Sequence, residues 1–461
     1  MLKIKIPKLC KNELCYTLDI LLSEFLGLNF EVETHETNLI EISKPSETEN
    51  SSKLTLDASF FYKAKKNWLK PESMPDLPLS LWNPRDDGIK VNLSTPNVPV
   101  LYGSSGILKK EKHIHLNLDI FGSAFFMLSR YEELIIKDRD KHERFPSRSS
   151  VAFKANFLNR PLIDEYLEIL WSCLFQLWPD LKRKYHKSNI FVSCDVDQPY
   201  DCSVETLQKL IKVCAGDLIK RKSLIEMLKR LNRYVFNKFG IYKFDRNYTF
   251  DLYMNMCEQV GIKIAFYFIP SSKEPINGCY EISDNKIINL IKKIDARGHE
   301  IGIHGSYQSF QNNTKILQQK IMVEETLKKV GIAQKIRGNR QHYLRWDSSV
   351  TPDYLDAAGF EYDTTGSYAD HPGFRYGTCK TFSMWGWKNQ KKLNLKQQPL
   401  IVMECSVADY MGLGYSEEAL KIMKDLKHKC LLFGGTFSLL WHNSELKNQN
   451  QINMFKDLIT N

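Results

Sequence analysis

The sequence predicts a mixed α/β protein whose second half is a (β/α) barrel, and three observations support this fold class. From about residue 189 onward, short apolar segments alternate with segments of helical periodicity. The first apolar segment, "IFVSC", is a continuous run of the kind found in strands buried on both faces. Polar, titratable residues directly follow several of these segments. Strands alternating with helices indicate a parallel sheet or barrel, whose functional residues lie at the carboxyl ends of the strands.

The chain has 461 residues, which is enough for two or three domains. We predict a smaller α+β domain at 1–185, because "LIEIS", "KLTLDASFF" and "HIHLNLDIFG" have strand character while "YTLDILLSEFLGL", "SAFFMLSRYEELI" and "IDEYLEILWSCLFQLW" have helical spacing. The polar stretch "KRKYHKS" (182–188) then separates it from the barrel domain, predicted at 186–461.

The second half continues the alternation in chain order. Residues 203–240 are predicted to form one or two basic helices, and "FDLYMNMCEQVG" an amphipathic helix that ends at a glycine. The predicted strands that follow are "IKIAFYFI", "HEIGIHG", the end of "KIRGNRQHY", "FEYDTTG", "PLIVMECS" and "CLLFGGTFSLLWHN". Helices such as "KILQQKIMVEETLKKVG" lie between them.

The composition and the absence of certain motifs limit the class of protein to which this chain can belong. The 43% hydrophobic content is that of a globular chain, and no apolar run is long enough for a membrane span or a signal peptide, so we expect a cytoplasmic protein. Eleven cysteines without a CxxC pair predict mostly buried, reduced thiols. The segment "GSSG" is not followed by Lys-Ser/Thr, which argues against a phosphate-binding loop.

The net charge of +10 is concentrated in residues 198–248, which hold 11 Lys and Arg against 5 Asp and Glu. Such a basic patch can meet nucleic acid, anionic lipid or an acidic polymer, or it can be a solvated helical face. No zinc-finger spacing, RNP-like motif or basic–heptad pattern is present, so we expect no nucleic-acid partner.

Two carboxylates end the first strand of the second half. Asp195 and Asp197 share one face of an extended strand, because its side chains alternate with a period of two. Carboxylates this close repel each other unless a cation or a proton lies between them. One could therefore hold a metal ion while the other accepts a proton; capping of the following loop is the structural alternative.

Further polar residues end other predicted strands. His304 in "RGHEIGIHGSYQ" could ligate a metal of the first transition row, whereas His299 is interpreted as structural. Arg340 in "RGNRQHYLRW" could keep a carboxylate ionised and hold its geometry. His442 after "SLLW" is placed for general acid catalysis, or for a structural hydrogen bond.

These residues, in this order, resemble the polysaccharide deacetylase family (carbohydrate esterase family four, the NodB-homology domain) over about 190–445. The resemblance rests on "SCDVD", "IAFYFIP", "GHEIGIHGS", "GNRQHY" and "LLWH". It implies a distorted (β/α) barrel of about seven strands and a hydrolase that removes acetyl groups from N-acetylated sugars. It also implies a divalent metal, for which we expect zinc.

The resemblance implies a role for each matching position. Asp195 corresponds to the catalytic base, and Arg340 to the arginine that orients it. Asp197 and His304 correspond to metal ligands, and His442 to the general acid. The backbone N–H of Tyr343 would help to bind the oxyanion. The neighbouring His342 is also expected to contact the oxyanion or the substrate.

The sequence departs from the family pattern at the second metal histidine, where it has Gln308. Glutamine is a poorer zinc ligand than imidazole. Gln308 itself, or His371 in "YADHPGFRYG", could supply the third ligand, although His371 could instead be a loop residue that touches substrate or solvent. The departure also supports an alternative function, that of an inactive carbohydrate-binding or assembly protein of a polysaccharide pathway.

The N-terminal segments "DIFGSAFFMLSRYEELI", "ERFPSRSS" and "RPLIDEYLEIL" resemble a domain of unknown function that precedes deacetylase domains in proteins of bacterial surface-polysaccharide gene clusters. This domain could position substrate, mediate assembly or complete an edge of the barrel. The partner we expect is an N-acetylated sugar, an oligosaccharide or a lipid-linked glycan. The basic insert 198–248 could lie over the site and contact a membrane peripherally.

Overall fold

The computed structural model describes residues 1–45, 52–271 and 274–460, which form a mixed α/β protein with two main sheets. The strands of the first part are β1 (Leu2–Pro7), β2 (Phe30–His35), β3 (Leu39–Ser43), β4 (Lys53–Asp57), β5 (Leu81–Trp82), β6 (Val98–Pro99), β7 (Gly103–Lys110) and β8 (His113–Leu118). Its helices are α1 (Lys11–Leu18), α2 (Ser59–Lys66), α3 (Ile120–Leu128), α4 (Tyr131–Ile135), α5 (Val151–Lys154) and α6 (Leu162–Leu177).

The first sheet has six strands in the order β2-β1-β3-β4-β8-β7, and β5 and β6 form a separate two-stranded ribbon. Strand β3 shows why these segments pair. Its residues Ile40 and Ile42 are fully buried while Leu39, Glu41 and Ser43 are partly exposed, which is the alternation of a strand that covers a core on one face. The predicted strand "KLTLDASFF" ends at Asp57, and its last residues begin α2.

The second part contains nine further strands and eight helices. The strands are β9 (Asn189–Val196), β10 (Ile264–Phe268), β11 (Glu300–Gly305), β12 (Gly338–Gln341), β13 (Tyr362–Asp363), β14 (Phe382–Gly386), β15 (Lys391–Gln397), β16 (Val402–Met403) and β17 (Thr436–Leu440). The helices are α7 (Leu207–Ile219), α8 (Leu224–Lys238), α9 (Phe250–Gln259), α10 (Asn285–Ala296), α11 (Asn313–Lys329), α12 (Thr351–Ala357), α13 (Glu417–Leu432) and α14 (Gln449–Ile459).

The second sheet has the order β14-β15-β13-β12-β11-β10-β9-β17-β16, and its neighbours are parallel except for the antiparallel pair β14 and β15. The sheet is curled. Arg340 Nη1 on β12 lies 2.9 Å from Asp195 Oδ1 on β9, although β11 and β10 stand between them. In a flat sheet these strands would be roughly 14 Å apart. The carboxyl ends of the parallel strands therefore face a common space.

Among the described residues the sheet is curled but open, because the edge strands β14 and β16 do not pair with each other, and the expected distorted barrel of about seven strands is not confirmed in that form. One open edge is covered instead by the N-terminal part. Tyr16 donates a hydrogen bond to the carbonyl oxygen of Ser383 on β14 (3.0 Å), and the backbone N–H of Ser383 donates to Glu24 (3.1 Å). Covering an edge in this way satisfies backbone groups that would otherwise attract another strand.

Buried side chains of both parts belong to one continuous hydrophobic cluster. Buried ion pairs also cross between the parts: Glu133, at α4, accepts hydrogen bonds from both Arg130 (2.8 Å) and Arg375 (2.9 Å). The division into domains at 185/186 therefore stays a prediction.

The cysteine expectation fails at one pair, because Cys202 and Cys279 form a disulfide 77 residues apart in sequence. The disulfide joins the segment after β9 to the loop after β10. The other nine cysteines are free thiols, and five of them are buried. Across 1–45, 52–271 and 274–460, none of the helices combines the length and the apolar character that a membrane crossing requires.

Candidate metal and acid–base site

Strand β9 places the two carboxylates that the sequence singled out at one end of the curled sheet. Asp195 is 3% exposed, and its Oδ1 accepts a hydrogen bond from Arg340 Nη1 (2.9 Å). Asp197 follows the strand, and its side chain is about one-third exposed (35%). One carboxylate is thus buried and paired with a cation, while the other reaches toward the open space.

Contacts with three further residues fix the guanidinium of Arg340. Its Nη2 donates to Ser193 Oγ (2.9 Å), its Nε donates to the carbonyl of Thr364 (3.2 Å), and the guanidinium lies 4.9 Å from the ring centroid of Tyr267. Burial lowers the pKa of Arg340, but the negative charge of Asp195 outweighs burial, so the pKa of Arg340 is raised and the side chain remains a cation. Arg340 therefore fixes the position of the Asp195 carboxylate.

Three side chains, from the ends of β9, β11 and β12, converge beside Asp195. The Oδ1 atom of Asp197 lies 3.3 Å from Nε2 of His304 and 3.5 Å from Nε2 of His342. His304 is on β11, and His342 directly follows β12. These three ligand atoms lie within 4.8 Å of one another and form a group that could hold a metal ion.

The hydrogen bonds of both histidines leave Nε2 free to act as a ligand. Nδ1 of His304 lies 2.9 Å from the carbonyl oxygen of Arg340, and Nδ1 of His342 lies 3.3 Å from Oδ1 of Asn277. A ring nitrogen that faces an oxygen acceptor carries the proton, so the lone pair is on the other nitrogen. Such outer contacts orient metal-binding histidines and select their tautomer.

The residues present fit a divalent metal. Asp197 Oδ1 is buried and has no hydrogen-bond partner, which is costly unless a cation satisfies it. Two ligands at about 2.1 Å from a tetrahedral zinc ion are about 3.4 Å apart, close to the separations of 3.3 and 3.5 Å from Asp197 to the two histidines. A carboxylate and two imidazoles are also a donor set that zinc and its neighbours accept.

The protonation of this group follows from burial and charge. Burial raises the pKa of Asp197, but the positive character of His342 and His304 outweighs it and holds the pKa well below the usual range. Burial is the main reason that the pKa of His342 is lowered to about 4, so this ring is neutral near neutral pH. The pKa of His304 is raised, because Asp195 and Asp197 outweigh the opposing effect of its burial.

His442 follows β17 and faces the same space from the opposite side. Its Nε2 lies 3.7 Å from Asp197 Oδ2, and its Nδ1 lies 2.5 Å from Oε1 of Glu404. The backbone N–H of His442 donates to the same carboxylate oxygen (2.9 Å). Burial lowers the pKa of His442, but Glu404 and Cys405 outweigh it, so the pKa lies well above the usual value and the ring carries a proton.

Glu404 was not singled out from the sequence. It follows the short strand β16 and so, like the other site residues, lies at the carboxyl end of a strand. It is fully buried, and its Oε2 has no hydrogen-bond partner. Glu404, Cys405 and His442 form a second group of adjacent metal-ligand types. Because Glu404 occupies Nδ1 of His442, we interpret this group as a buried acid that orients an imidazole.

Tyr343 belongs to a turn that the N-terminal part supports. Tyr343 and Leu344 have positive φ angles of 61° and 55°, a strained backbone that needs support from its surroundings. Arg144 donates a hydrogen bond to the Tyr343 carbonyl (3.0 Å), and the ring of His142 lies 4.6 Å from the Tyr343 ring. Residues 142 and 144 thus form part of the wall beside the site, which the sequence pattern did not reveal.

The two candidates for a third ligand lie elsewhere. Nδ1 of His371 lies 2.7 Å from the carbonyl oxygen of Pro372, its ring packs against Phe153 at 5.7 Å, and it is not part of the group around Asp197. Gln308 is exposed. The imidazole beside Asp197 and His304 is that of His342, which the sequence analysis had assigned to the oxyanion or substrate. The register explains this difference, because β12 ends at Gln341 and turns the next side chain into the site.

A cleft leads to Asp197 from the surface. Its walls include residues after β9, the helices α7 and α8, and the segment after β17, and they are lined by Gln198, Asp201, Cys202, Ser203, Val213, Arg221, Arg230, Arg246, Asn247, Ser444, Glu445 and Lys447. Basic and acidic side chains are nearly balanced on these walls, because Arg221, Arg230, Arg246 and Lys447 stand beside Asp197, Asp201 and Glu445.

A family model matches only the N-terminal part of the chain. Residues 2–179 match the family of unknown function DUF7033, and no curated protein matches the chain. This agrees with the expected N-terminal domain of unknown function; its link to surface-polysaccharide clusters stays a prediction.

Solved structures similar to the chain include two proteins assigned as polysaccharide deacetylases. The one from Mycobacterium smegmatis has 15% identity and a TM-score of 0.38, with 61% of this chain and 84% of that chain covered. The one from Pseudomonas aeruginosa PAO1 has 12% identity and a TM-score of 0.36, with 67% and 90% covered. The allantoinase Puue has 11% identity and a TM-score of 0.37, with 59% and 83% covered. Similarities at this level do not by themselves define the function.

Proposed function

We propose that this protein is a metal-dependent hydrolase that removes the acetyl group from an acetamido sugar of a bacterial surface polysaccharide or its precursor. One observation carries the proposal. A single end of the curled sheet brings together a metal-ligand group, a carboxylate fixed by an arginine, and an imidazole fixed by a buried acid. Amide hydrolysis needs these three functions, because water must be activated, a proton removed and the amine protonated.

The metal would be held by Asp197, His304 and His342, with zinc as the first candidate. A divalent ion held there would supply a water of lowered pKa and polarisation of the amide carbonyl. Nothing in this ligand set requires Gln308 or His371. In this proposal His342 would take the place of the family's second metal histidine, so the departure at Gln308 would not require an inactive binding protein.

Asp195 would act as the base that accepts the proton of the attacking water. Its Oδ2 lies 3.7 Å from His304 Nε2, beside the metal-ligand group but outside it. Arg340 holds the other carboxylate oxygen, so Asp195 offers one aimed oxygen and cannot rotate away. Because Asp195 is buried, this proton transfer would take place out of bulk water.

His442 would donate a proton to the leaving nitrogen. An amine is a poor leaving group unless it is protonated, so the acid must reach the nitrogen side of the bond. Nε2 of His442 faces Asp197 across the cleft from the two metal-binding imidazoles, and Glu404 keeps the ring protonated. Base and acid would thus approach the amide from opposite sides.

Aromatic rings beside the site suit a sugar. Tyr343 is 36% exposed, and its ring lies 5.4 Å from that of Tyr307. Rings of this kind present an apolar surface together with a hydroxyl group, which matches the mixed character of a sugar face. This supports a carbohydrate substrate; the identity of the sugar rests on the family resemblance.

The test is acetate release from N-acetylglucosamine oligomers by zinc-loaded protein. Asp195→Asn should lower the rate by about 10²- to 10⁴-fold, because a general base contributes that much. Asp76→Asn is the matched control, since the Asp76 side chain is 97% exposed and distant in sequence from the site. Oligomer binding without acetate release by the wild type would favour the carbohydrate-binding alternative. Full activity of Asp195→Asn would contradict its role as the base.

A further inference from the structure

Helices α7 and α8 and the following residues to Phe244 form a helical hairpin that buries part of its charge. Asp217 and Arg230 are buried between the helices and form an ion pair at 2.5 Å. The buried Arg233 pairs with Asp201 at the base of the hairpin. In a helix exposed to water on one side, charged groups normally face the water and apolar groups face inward. This hairpin departs from that arrangement, because it buries these ion pairs while large apolar side chains are exposed on its surface.

The outward face of the helical hairpin is apolar. On each helix the exposed apolar side chains recur at i, i+4, and i+11, with i+7 also apolar on α8, which places them in one stripe. They are Leu207, Ile211 and Leu218 on α7, and Leu224, Leu228, Leu231 and Val235 on α8, followed by Phe239. Of the 28 large apolar side chains that are exposed in 1–45, 52–271 and 274–460, 12 lie in residues 207–244. Such a concentration marks a surface that meets an apolar environment.

The same surface is positively charged. Its exposed cations are Lys209, Lys212, Lys220, Arg221, Lys222, Lys229, Lys238 and Lys243. The acids of residues 207–244 do not balance them at the surface, since Asp217 is buried and Glu226 pairs with Lys229 at 2.7 Å. An apolar stripe bordered by lysines is the pattern of helices that lie in the interface of an anionic bilayer.

We propose that the helical hairpin docks on an anionic phospholipid bilayer, with its leucine stripe inserted at the level of the headgroups and its lysines on the phosphates. The helices have 13 and 15 residues, which is shorter than the about 20 residues needed to span a bilayer, so the hairpin lies on the membrane. This inference goes beyond the proposed function and does not depend on it.

Charge favours a lipid surface over a second copy of the chain. A symmetric pair of hairpins would bring two sets of lysines together, and like charges across an interface are unfavourable. Phospholipid phosphates supply the opposite charge around an apolar interior. The helical hairpin also lines the cleft that contains Asp197, through Val213, Arg221 and Arg230, so docking holds this cleft near the bilayer.

The experiment is co-sedimentation of the full chain with vesicles of phosphatidylcholine alone and of phosphatidylcholine with 25% phosphatidylglycerol. We expect binding to the anionic vesicles that weakens with added salt. Leu224→Ser/Leu228→Ser should weaken it by about tenfold or more, because two inserted leucines are lost. The matched control is Leu317→Ser/Ile321→Ser, which changes two exposed apolar residues with the same spacing on α11. Its binding should equal that of the wild type.

Hydrogen exchange with and without anionic vesicles should show protection confined to residues 207–244. If Leu224→Ser/Leu228→Ser does not fold, Phe239→Ser replaces it, since Phe239 lies outside α8 and is 77% exposed. Absence of wild-type binding, or equal binding by the hairpin variant, would overturn the proposal. So would a wild-type dimer that becomes a monomer in the hairpin variant without any vesicle binding, since the occupant would then be a second copy.

Discussion

The metal-ligand end of the sheet and the helical hairpin both bury charged side chains, but they differ in what surrounds those charges. At the sheet, Arg340 and Asp195 are enclosed by the body of the protein, and Asp197 leaves one oxygen without a partner. In the hairpin, Asp217 and Arg230 are fully paired, and the neighbouring apolar side chains face outward.

This difference separates two reasons for burying charge. An unpaired buried oxygen beside two imidazoles indicates a ligand that is itself charged, which is a feature of chemistry. A closed set of ion pairs beneath an apolar exterior needs no ligand for its charges, and it needs an apolar environment for its surface. The first region is therefore interpreted as a site and the second as a docking surface.

The largest expected effect concerns the buried ion pairs of Glu133 with Arg130 and Arg375. As in the hairpin, these charges pair with one another, but here the surrounding protein covers them. Glu133→Gln should lower the free energy of unfolding by about 3 to 5 kcal/mol, because it leaves Arg130 and Arg375 buried with a weakened partner. Denaturant unfolding measures this change. Glu361→Gln removes one partner of the exposed pair with Arg337 and should cost at most about 1 kcal/mol.

Glu133 should also make the free energy of unfolding depend on pH. Burial raises the pKa of Glu133, but Arg375 and Arg130 outweigh it and lower the pKa to about 2 from an ordinary value of 4.5. A lowered native pKa contributes stability that is present above 4.5 and is lost as the pH falls toward 2. This corresponds to about 3 kcal/mol. Unfolding curves of Glu133→Gln should lack this decline between pH 4.5 and 2; an unchanged slope would contradict the ion-pair interpretation.

An intermediate effect is expected at Glu404, which acts through His442. Glu404→Gln should lower kcat by about 10- to 100-fold with little change in KM, because the imidazole loses its orienting acid. Cys405→Ser is the matched control, since Cys405 Sγ lies 3.8 Å from the same nitrogen of His442. Its activity should stay within about threefold of the wild type. A larger loss in Cys405→Ser than in Glu404→Gln would indicate that the thiol takes part instead.

The smallest effect tests whether the hairpin leucines serve folding. Leu224→Ser/Leu228→Ser should change the free energy of unfolding in lipid-free buffer by no more than about 0.5 kcal/mol, as is usual for exposed positions. Leu439→Ala, at a fully buried position on β17, should cost about 2 to 5 kcal/mol in the same assay. A large cost for the hairpin variant would mean that its leucines are packed against the protein, which would remove the contrast with the site.

Sequence patterns predicted the site residues that lie at the carboxyl ends of parallel strands. Asp195, Asp197, His304 and Arg340 each lie at the carboxyl end of a parallel strand, and an apolar run followed by a polar residue shows this directly. The third ligand was not predicted, because His342 enters the site through the turn after β12, and local periodicity does not describe turns. Glu404 was missed because it lies inside the predicted strand "PLIVMECS", whereas β16 ends at Met403 and Glu404 follows it.

The closure of the sheet and the packing of the hairpin also could not be predicted from local sequence patterns. Alternation of strands and helices predicted parallel pairing, but whether the sheet closes depends on contacts such as Tyr16 with Ser383, which are 367 residues apart. The basic character of 198–248 was visible in composition. The burial of Asp217, Arg230 and Arg233 was not, because it depends on how α7 and α8 pack against each other.

The metal content of the purified protein tests the central claim most directly. Wild type, His342→Ala and His371→Ala are each loaded with zinc, dialysed and measured by mass spectrometry. The geometry predicts about one ion per chain in the wild type and in His371→Ala, and almost none in His342→Ala. Retention of the ion in His342→Ala together with its loss in His371→Ala would contradict this account of the site.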